Sequence, residues 1–153
     1  MANQIVPLNG HVRVRAWEKQ PDGTEKEVYD KTIKNLVVTA GKQTILKYIG
    51  NIAGGGYANQ IGAGDSTTAA AAGQTDLQAS TNKYWKTIDA SDRIVLTTTL
   101  YLSVDFGYTE ANYTWNELGL RDNNNVLIAR QIDTTPFIKT SAKRAIVEWQ
   151  LTL

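Results

Sequence analysis

The chain has 153 residues, enough for a single domain with a core of its own. Its 16 basic and 15 acidic side chains leave a net charge of +1, too weak a field to hold a polyanion, so nucleic acid is not an expected partner. Cysteine is absent, which excludes disulfides, thiolate metal sites and cysteine nucleophiles.

The first periodic segment places Val12, Val14 and Ala16 in alternation with Arg13, Arg15 and Trp17, the pattern of a strand with one covered face. Pro21-Asp22-Gly23 has turn chemistry, and residues 27–38 are rich in β-branched side chains, so the expectation is an antiparallel hairpin. Residues 39–50 predict the one helix. Thr39 is the candidate N-cap, Ile45, Leu46 and Ile49 share the face expected to pack on the sheet, and Gly50 suits a left-handed stop. At about three turns it needs such packing to form at all.

Residues 52–81 change character, with Gly54-Gly55-Gly56, Gly62-Ala63-Gly64 and the run Ala69-Ala70-Ala71-Ala72. Such small side chains bury little apolar area, so residues 54–80 read as an extended loop or arm, with a short strand at 57–62. The expected holder of the arm is another subunit or a particle lattice rather than its own domain. Ile94, Leu96, Leu100, Leu102 and Val104 then share one parity and read as one strand. Residues 112–120 and 126–132 flank the turn Asp122-Asn123-Asn124-Asn125, and Pro136-Phe137-Ile138-Lys139 reads as a bent crossing with Phe137 as an apolar plug. Ala145, Val147, Trp149, Leu151 and Leu153 close the chain on a strand. With roughly six to eight strands and one short helix, the fold class is mainly β. The expected architecture is an antiparallel β-sandwich in a single domain spanning residues 1–153, the helix closing one end.

Catalytic signatures are weak. His11 is the only histidine and has no acid or nucleophile beside it in sequence, so it supports neither a triad nor a histidine metal site. The run Gly62-Ala63-Gly64-Asp65-Ser66-Thr67 lacks the lysine of a phosphate loop and reads as a flexible turn. The segment Asp122-Asn123-Asn124-Asn125 lacks the alternating acids and distal glutamate of a calcium loop. Asp89 and Asp92 read as turn chemistry at a strand start, with nothing to define a glycosidase pair. Trp17, Trp85, Trp115 and Trp149 are scattered, which suits packing at least as well as a sugar platform. The expectation is therefore no enzyme activity, no cofactor and no metal. No stretch approaches the ~18 apolar residues of a membrane span, and residues 1–7 lack the features of a signal peptide, so no membrane partner and no export are expected.

Two stretches carry a resemblance. The first is Ile61-Gly62-Ala63-Gly64-Asp65-Ser66-Thr67, an alanine-rich run, and Thr75-Asp76-Leu77. The second is Trp115-Asn116-Glu117-Leu118-Gly119-Leu120, then Val126-Leu127-Ile128-Ala129-Arg130, Phe137-Ile138-Lys139-Thr140 and Val147-Glu148-Trp149. Together with a strand-into-helix passage at residues 35–49, they are similar to small fibre-like and head-decoration-like proteins on the surface of tailed-bacteriophage particles. The resemblance implies a virion protein made in the host cytoplasm, a homo-oligomer with a trimer as the form suggested by fibres and knobs, and other capsid or tail proteins as partners. It brings no catalytic residues. The alternative is a carbohydrate-binding module that recognises host glycans. Apart from the resemblance, Glu117 and Arg130 read as a possible cross-strand pair, with two exposed charges the expected state.

Overall fold

Alternating apolar residues decide the architecture. The computed structural model describes residues 7–153. In it β1 (Asn9–Lys19), β2 (Glu25–Lys34), β6 (Arg93–Leu96), β7 (Thr99–Phe106) and β10 (Lys143–Thr152) form one antiparallel sheet in the order β2-β1-β10-β7-β6. The second sheet runs β3-β9-β8-β4-β5, from β3 (Leu36–Val37), β4 (Ala58–Gly64), β5 (Lys83–Thr87), β8 (Thr114–Asp122) and β9 (Leu127–Ile138). The fold is mainly β, with two five-stranded antiparallel sheets and the helix α1 (Thr39–Ile49), as a β-sandwich requires. The chain changes sheet at Asn35, between β2 and β3, and again through the 3-10 turn Ala90–Asp92 between β5 and β6.

The inward parity of the first sheet is Val12, Val14 and Ala16 on β1, Ala145, Val147, Trp149 and Leu151 on β10, and Leu102, Val104 and Phe106 on β7. These meet Ile61, Ala63, Leu118, Leu120 and Ala129 of the second sheet. Full burial of each large aliphatic is worth about 1.5–3 kcal/mol, so this stripe is the main source of stability. Phe137 plugs the core as its sequence position suggests, its ring centroid 4.9 Å from Tyr29 and 5.2 Å from Trp115.

Several local expectations are corrected. Residues 27–38 are not one strand, because the chain leaves the first sheet at Asn35. The parity-matched stretch from Ile94 to Val104 is a hairpin, turned at Thr97 (φ 55°) and Thr98, with Leu96 paired to Thr99. Alternation in sequence runs on through a two-residue turn, which is why the pattern conceals it, but the face inverts: Val95 pairs with Leu100, so Ile94 and Leu96 lie on the face opposite Leu100 and Leu102. Val38, not Thr39, occupies the N-cap position, and no side chain caps the helix. Gly50 has φ −78°, and Asn51 takes the left-handed conformation at φ 53°. Gly62-Ala63-Gly64 lies inside β4 rather than in a turn, and Pro136 lies within β9 rather than in a crossing.

The largest correction concerns the arm. β4 is an interior strand, paired with β5 on one side and β8 on the other. Residues 65–80 lie on the outer face of the second sheet, held by two fully buried charges. Arg130 Nε donates to Glu117 Oε2 at 2.7 Å, and both side chains have 0% exposure. The remaining valences reach the arm. Glu117 accepts from the backbone N–H of Gln78 (2.9 Å) and Ala79 (2.7 Å), while Arg130 donates to the Thr68 carbonyl (2.8 Å) and to Gln74 Oε1 (3.0 Å). Gln74 in turn accepts from Ala71 N–H and donates to the Ala69 carbonyl. A Cβ at Gly64 would stand 2.4 Å from Glu117 Oε1, so glycine gives the carboxylate its place. A register shift between Trp115 and Glu117 sends the tryptophan to the core and the glutamate to the arm. The pair is neither exposed nor decorative. The arm belongs to its own domain.

A second polar bridge joins the sheets at their edge. Asp133 on β9 accepts from Lys31 Nζ and from the Tyr29 hydroxyl, both on β2, and from Thr135 N–H. Burial alone would raise the Asp133 pKa, but the ammonium, the hydroxyl and the N–H together hold it below the usual carboxylate range.

Two outcomes follow. In hydrogen exchange on the isolated chain, the amides of Gln78 and Ala79 should exchange as slowly as those of β8; exchange at loop rates would contradict the clamp. Because Asp133 is more acidic folded than unfolded, its stabilisation is complete above about pH 4 and is lost as pH falls through the folded pKa. Asp133→Asn should therefore cost about 2 kcal/mol at pH 7 and lose less stability than the parent on acidification, measured by urea unfolding across pH.

Candidate interaction surface

The helix packs by backbone proximity, not by its apolar stripe. A Cβ at Gly41 would stand 2.2 Å from the Ile128 carbonyl oxygen, so α1 is pressed directly on β9. One turn on, the buried Thr44 hydroxyl donates to Asp122 Oδ2 at 2.6 Å and accepts from Gly56 N–H at 2.9 Å. Those contacts turn the Gly41–Thr44 side inward. Ile45 is only partly buried, and Leu46, Tyr48 and Ile49 point to solvent with 67%, 56% and 75% of their surface exposed.

Opposite the helix stand Val95 of β6, the Thr97-Thr98 turn and the C-terminal Leu153, with Leu100, Ile128 and Leu151 also in the lining. Between them runs an open groove of about 920 Å³. Tyr57 lies on its rim, 6.2 Å from the Tyr48 ring centroid, with the Arg93 guanidinium 5.0 Å from its own. Val95 and Leu153 are each 68% exposed. Soluble monomers rarely present so continuous an apolar patch, and such patches mark interaction sites.

The residues weighed from sequence as candidates for catalysis, metal or sugar binding do not meet there. His11 lies on β1, opposite Lys34 on one neighbour and Gln150 on the other. Asp122 through Asn125 forms the β8–β9 turn: Asp122 accepts from Asn124 and Val126 N–H at 2.8 Å each, and Asn125 has φ 64°. Asp89 and Asp92 flank the short turn before β6. Trp115 and Trp149 are buried. Trp17 lies against the guanidiniums of Arg15 (4.8 Å) and Arg144 (4.6 Å), and Trp85 against Arg121 (4.3 Å), so the four indoles build no common platform.

Residues of the two resembling stretches converge instead on packing contacts. Leu77, Glu117, Gly119 and Arg130 gather under the arm. Lys139 is 2% exposed, its Nζ donating to the Gly107 carbonyl (2.8 Å) and Asn112 Oδ1 (2.9 Å). Burial pushes its pKa below the usual lysine value. Tyr48, Tyr57 and Val95 of the groove were not singled out from sequence, and Leu153, read as the packed end of the last strand, lies past β10 and is exposed. The signal available was Gly41 and Thr44, small residues one turn apart that permit close packing on the face away from Leu46. No protein-family model, curated protein or solved structure matches the chain.

A pair of substitutions tests the helix orientation. Gly41→Ala would gain about 1 kcal/mol of helix propensity, but the clash with rigid β9 backbone should leave it about 1–3 kcal/mol less stable than the parent. Ile49→Ser should change stability by no more than about 0.5 kcal/mol. The reverse ranking in thermal unfolding would place the apolar stripe inside.

Proposed function

We propose that the chain is a non-enzymatic, oligomeric accessory component of a bacteriophage particle, one that decorates the capsid or forms part of a short head or tail fibre. The observation that carries this reading is the apolar end formed by α1, the β6–β7 turn and Leu153, which is left uncovered among the described residues. A component of a larger assembly leaves such a surface open until it meets its neighbours. The residues that resemble the phage surface proteins support the reading in a second way. They hold the arm and the loop ends in place, and the buried carboxylate among them is occupied by Arg130 and two backbone N–H groups. That is framework chemistry. The glycan-binding alternative gains no tryptophan platform from the fold, because two indoles are buried and two lie against arginines.

The test is fractionation of particles from a lysate of the strain that carries the gene. The protein should band with the particles in a density gradient, survive a high-salt wash and label their surface with antibody. A protein left wholly in the soluble fraction would overturn the assignment.

A further inference from the structure

We infer that the groove between α1 and β6 is the contact between two copies of this chain, related by a two-fold axis, with the helix ridge of each copy seated in the groove of the other. The inference rests on the oligomeric reading above and names the surface and the symmetry. Three observations commit the groove to a second copy.

The first is shape. Leu46 and Ile49 form a ridge beside a groove that takes apolar side chains, both within one patch. A two-fold contact needs such a self-complementary patch, because residue i of one copy meets residue j of the other and the reverse. The second is area. With Tyr57 41% exposed and the others as given above, Leu46, Tyr48, Ile49, Tyr57, Val95 and Leu153 present on the order of 700 Å², close to the roughly 800 Å² that each partner buries in a standard interface.

The third is charge. Helix α1 carries Lys42, in the groove wall, and Lys47, and the chain enters β6 through Asp89 and Asp92. None of the four makes an ion pair among the described residues. A two-fold axis through the groove brings α1 of one copy, with its two lysines, towards the strand entry of the other, where Asp89 and Asp92 precede Arg93. The sheet edges point the same way. β2, the opposite edge of the first sheet, is lined by Glu25, Lys26, Glu27, Asp30, Lys31 and Lys34, the charged form that resists pairing. On β6, Ile94, Val95 and Leu96 are exposed and uncharged.

The experiment is sedimentation velocity and light scattering on the full chain, the parent beside Ile49→Glu and Val95→Glu. Both positions are exposed, so thermal unfolding of each variant in the monomeric range should match the parent and report an intact fold. The parent should have twice the chain mass, and each substitution should weaken association at least about thirtyfold. Lys47→Glu and Asp92→Lys should each weaken it, and the two together should restore it.

A parent that stays monomeric at 100-micromolar concentration (~100 µM, at which even weak specific pairs associate) overturns the inference. So does an oligomer indifferent to both glutamates, which would leave the oligomeric reading standing on another surface. A trimer disrupted by the same glutamates overturns the two-fold arrangement. A monomer that takes up an apolar dye only after removal of residues 1–6 assigns the groove to the chain's own N-terminus and also overturns it. Particle fractionation is independent of all of these outcomes.

Discussion

Arg130 and Glu117 lie together with no exposure to water, and the arm outside the second sheet depends on how that burial is tolerated. Removing two charges from water costs several kcal/mol per ion, and their mutual attraction offsets it only when the remaining donors and acceptors are filled. Here they are filled by the backbone and side chains of the small-residue segment. The segment needs the pair as much as the pair needs the segment. Its alanines and glycines bury too little area to offset roughly 1–2 kcal/mol of ordering entropy per residue. Polar bonds in a dry site supply what apolar contact cannot.

The same economy of size governs the helix. A helix with bulky inward residues would stand farther off the sheet. Gly41 and Thr44 let α1 come closer, and Thr44 uses its hydroxyl to join Asp122 to Gly56. The bulky residues are then left for solvent. Close backbone packing on one side and an open apolar ridge on the other are two consequences of one choice. That link runs from residue size, through packing, to the surface proposed to receive a second copy.

The repetitive features of the fold were legible in the sequence. Alternation of Val12, Val14 and Ala16, and of Ala145, Val147, Trp149 and Leu151, reports a strand's two faces directly, and both sets are core. The helix limits at 39 and 49 and the turn at Asp122 to Asn125 were legible as well. What was missed depends on geometry that leaves no period. The turn at Thr97-Thr98 leaves the alternation in sequence unbroken and so hides, although it inverts the face, while the register shift between Trp115 and Glu117 breaks parity and so misassigns a face. The helix face was misjudged because the packing residues are small and the apolar ones are not packed. Composition suggested an arm needing an outside partner, because composition does not count hydrogen bonds to buried charges. Of the groove, Ile45, Leu46 and Ile49 were expected inside, and Leu100, Leu151 and Leu153 were legible only as strand residues.

The central claim is that the buried pair and the arm form one cooperative unit within the domain. A double-mutant cycle on Glu117→Gln and Arg130→Met, read by urea unfolding of the isolated chain, tests it most directly. Each single change should cost about 3–5 kcal/mol, because it strands a buried charge or its partners. The double change should cost no more than the larger single one, giving a coupling of about 3 kcal/mol or more. Additive losses near 0.5 kcal/mol each would mean a solvated pair and a free arm, and would contradict the account.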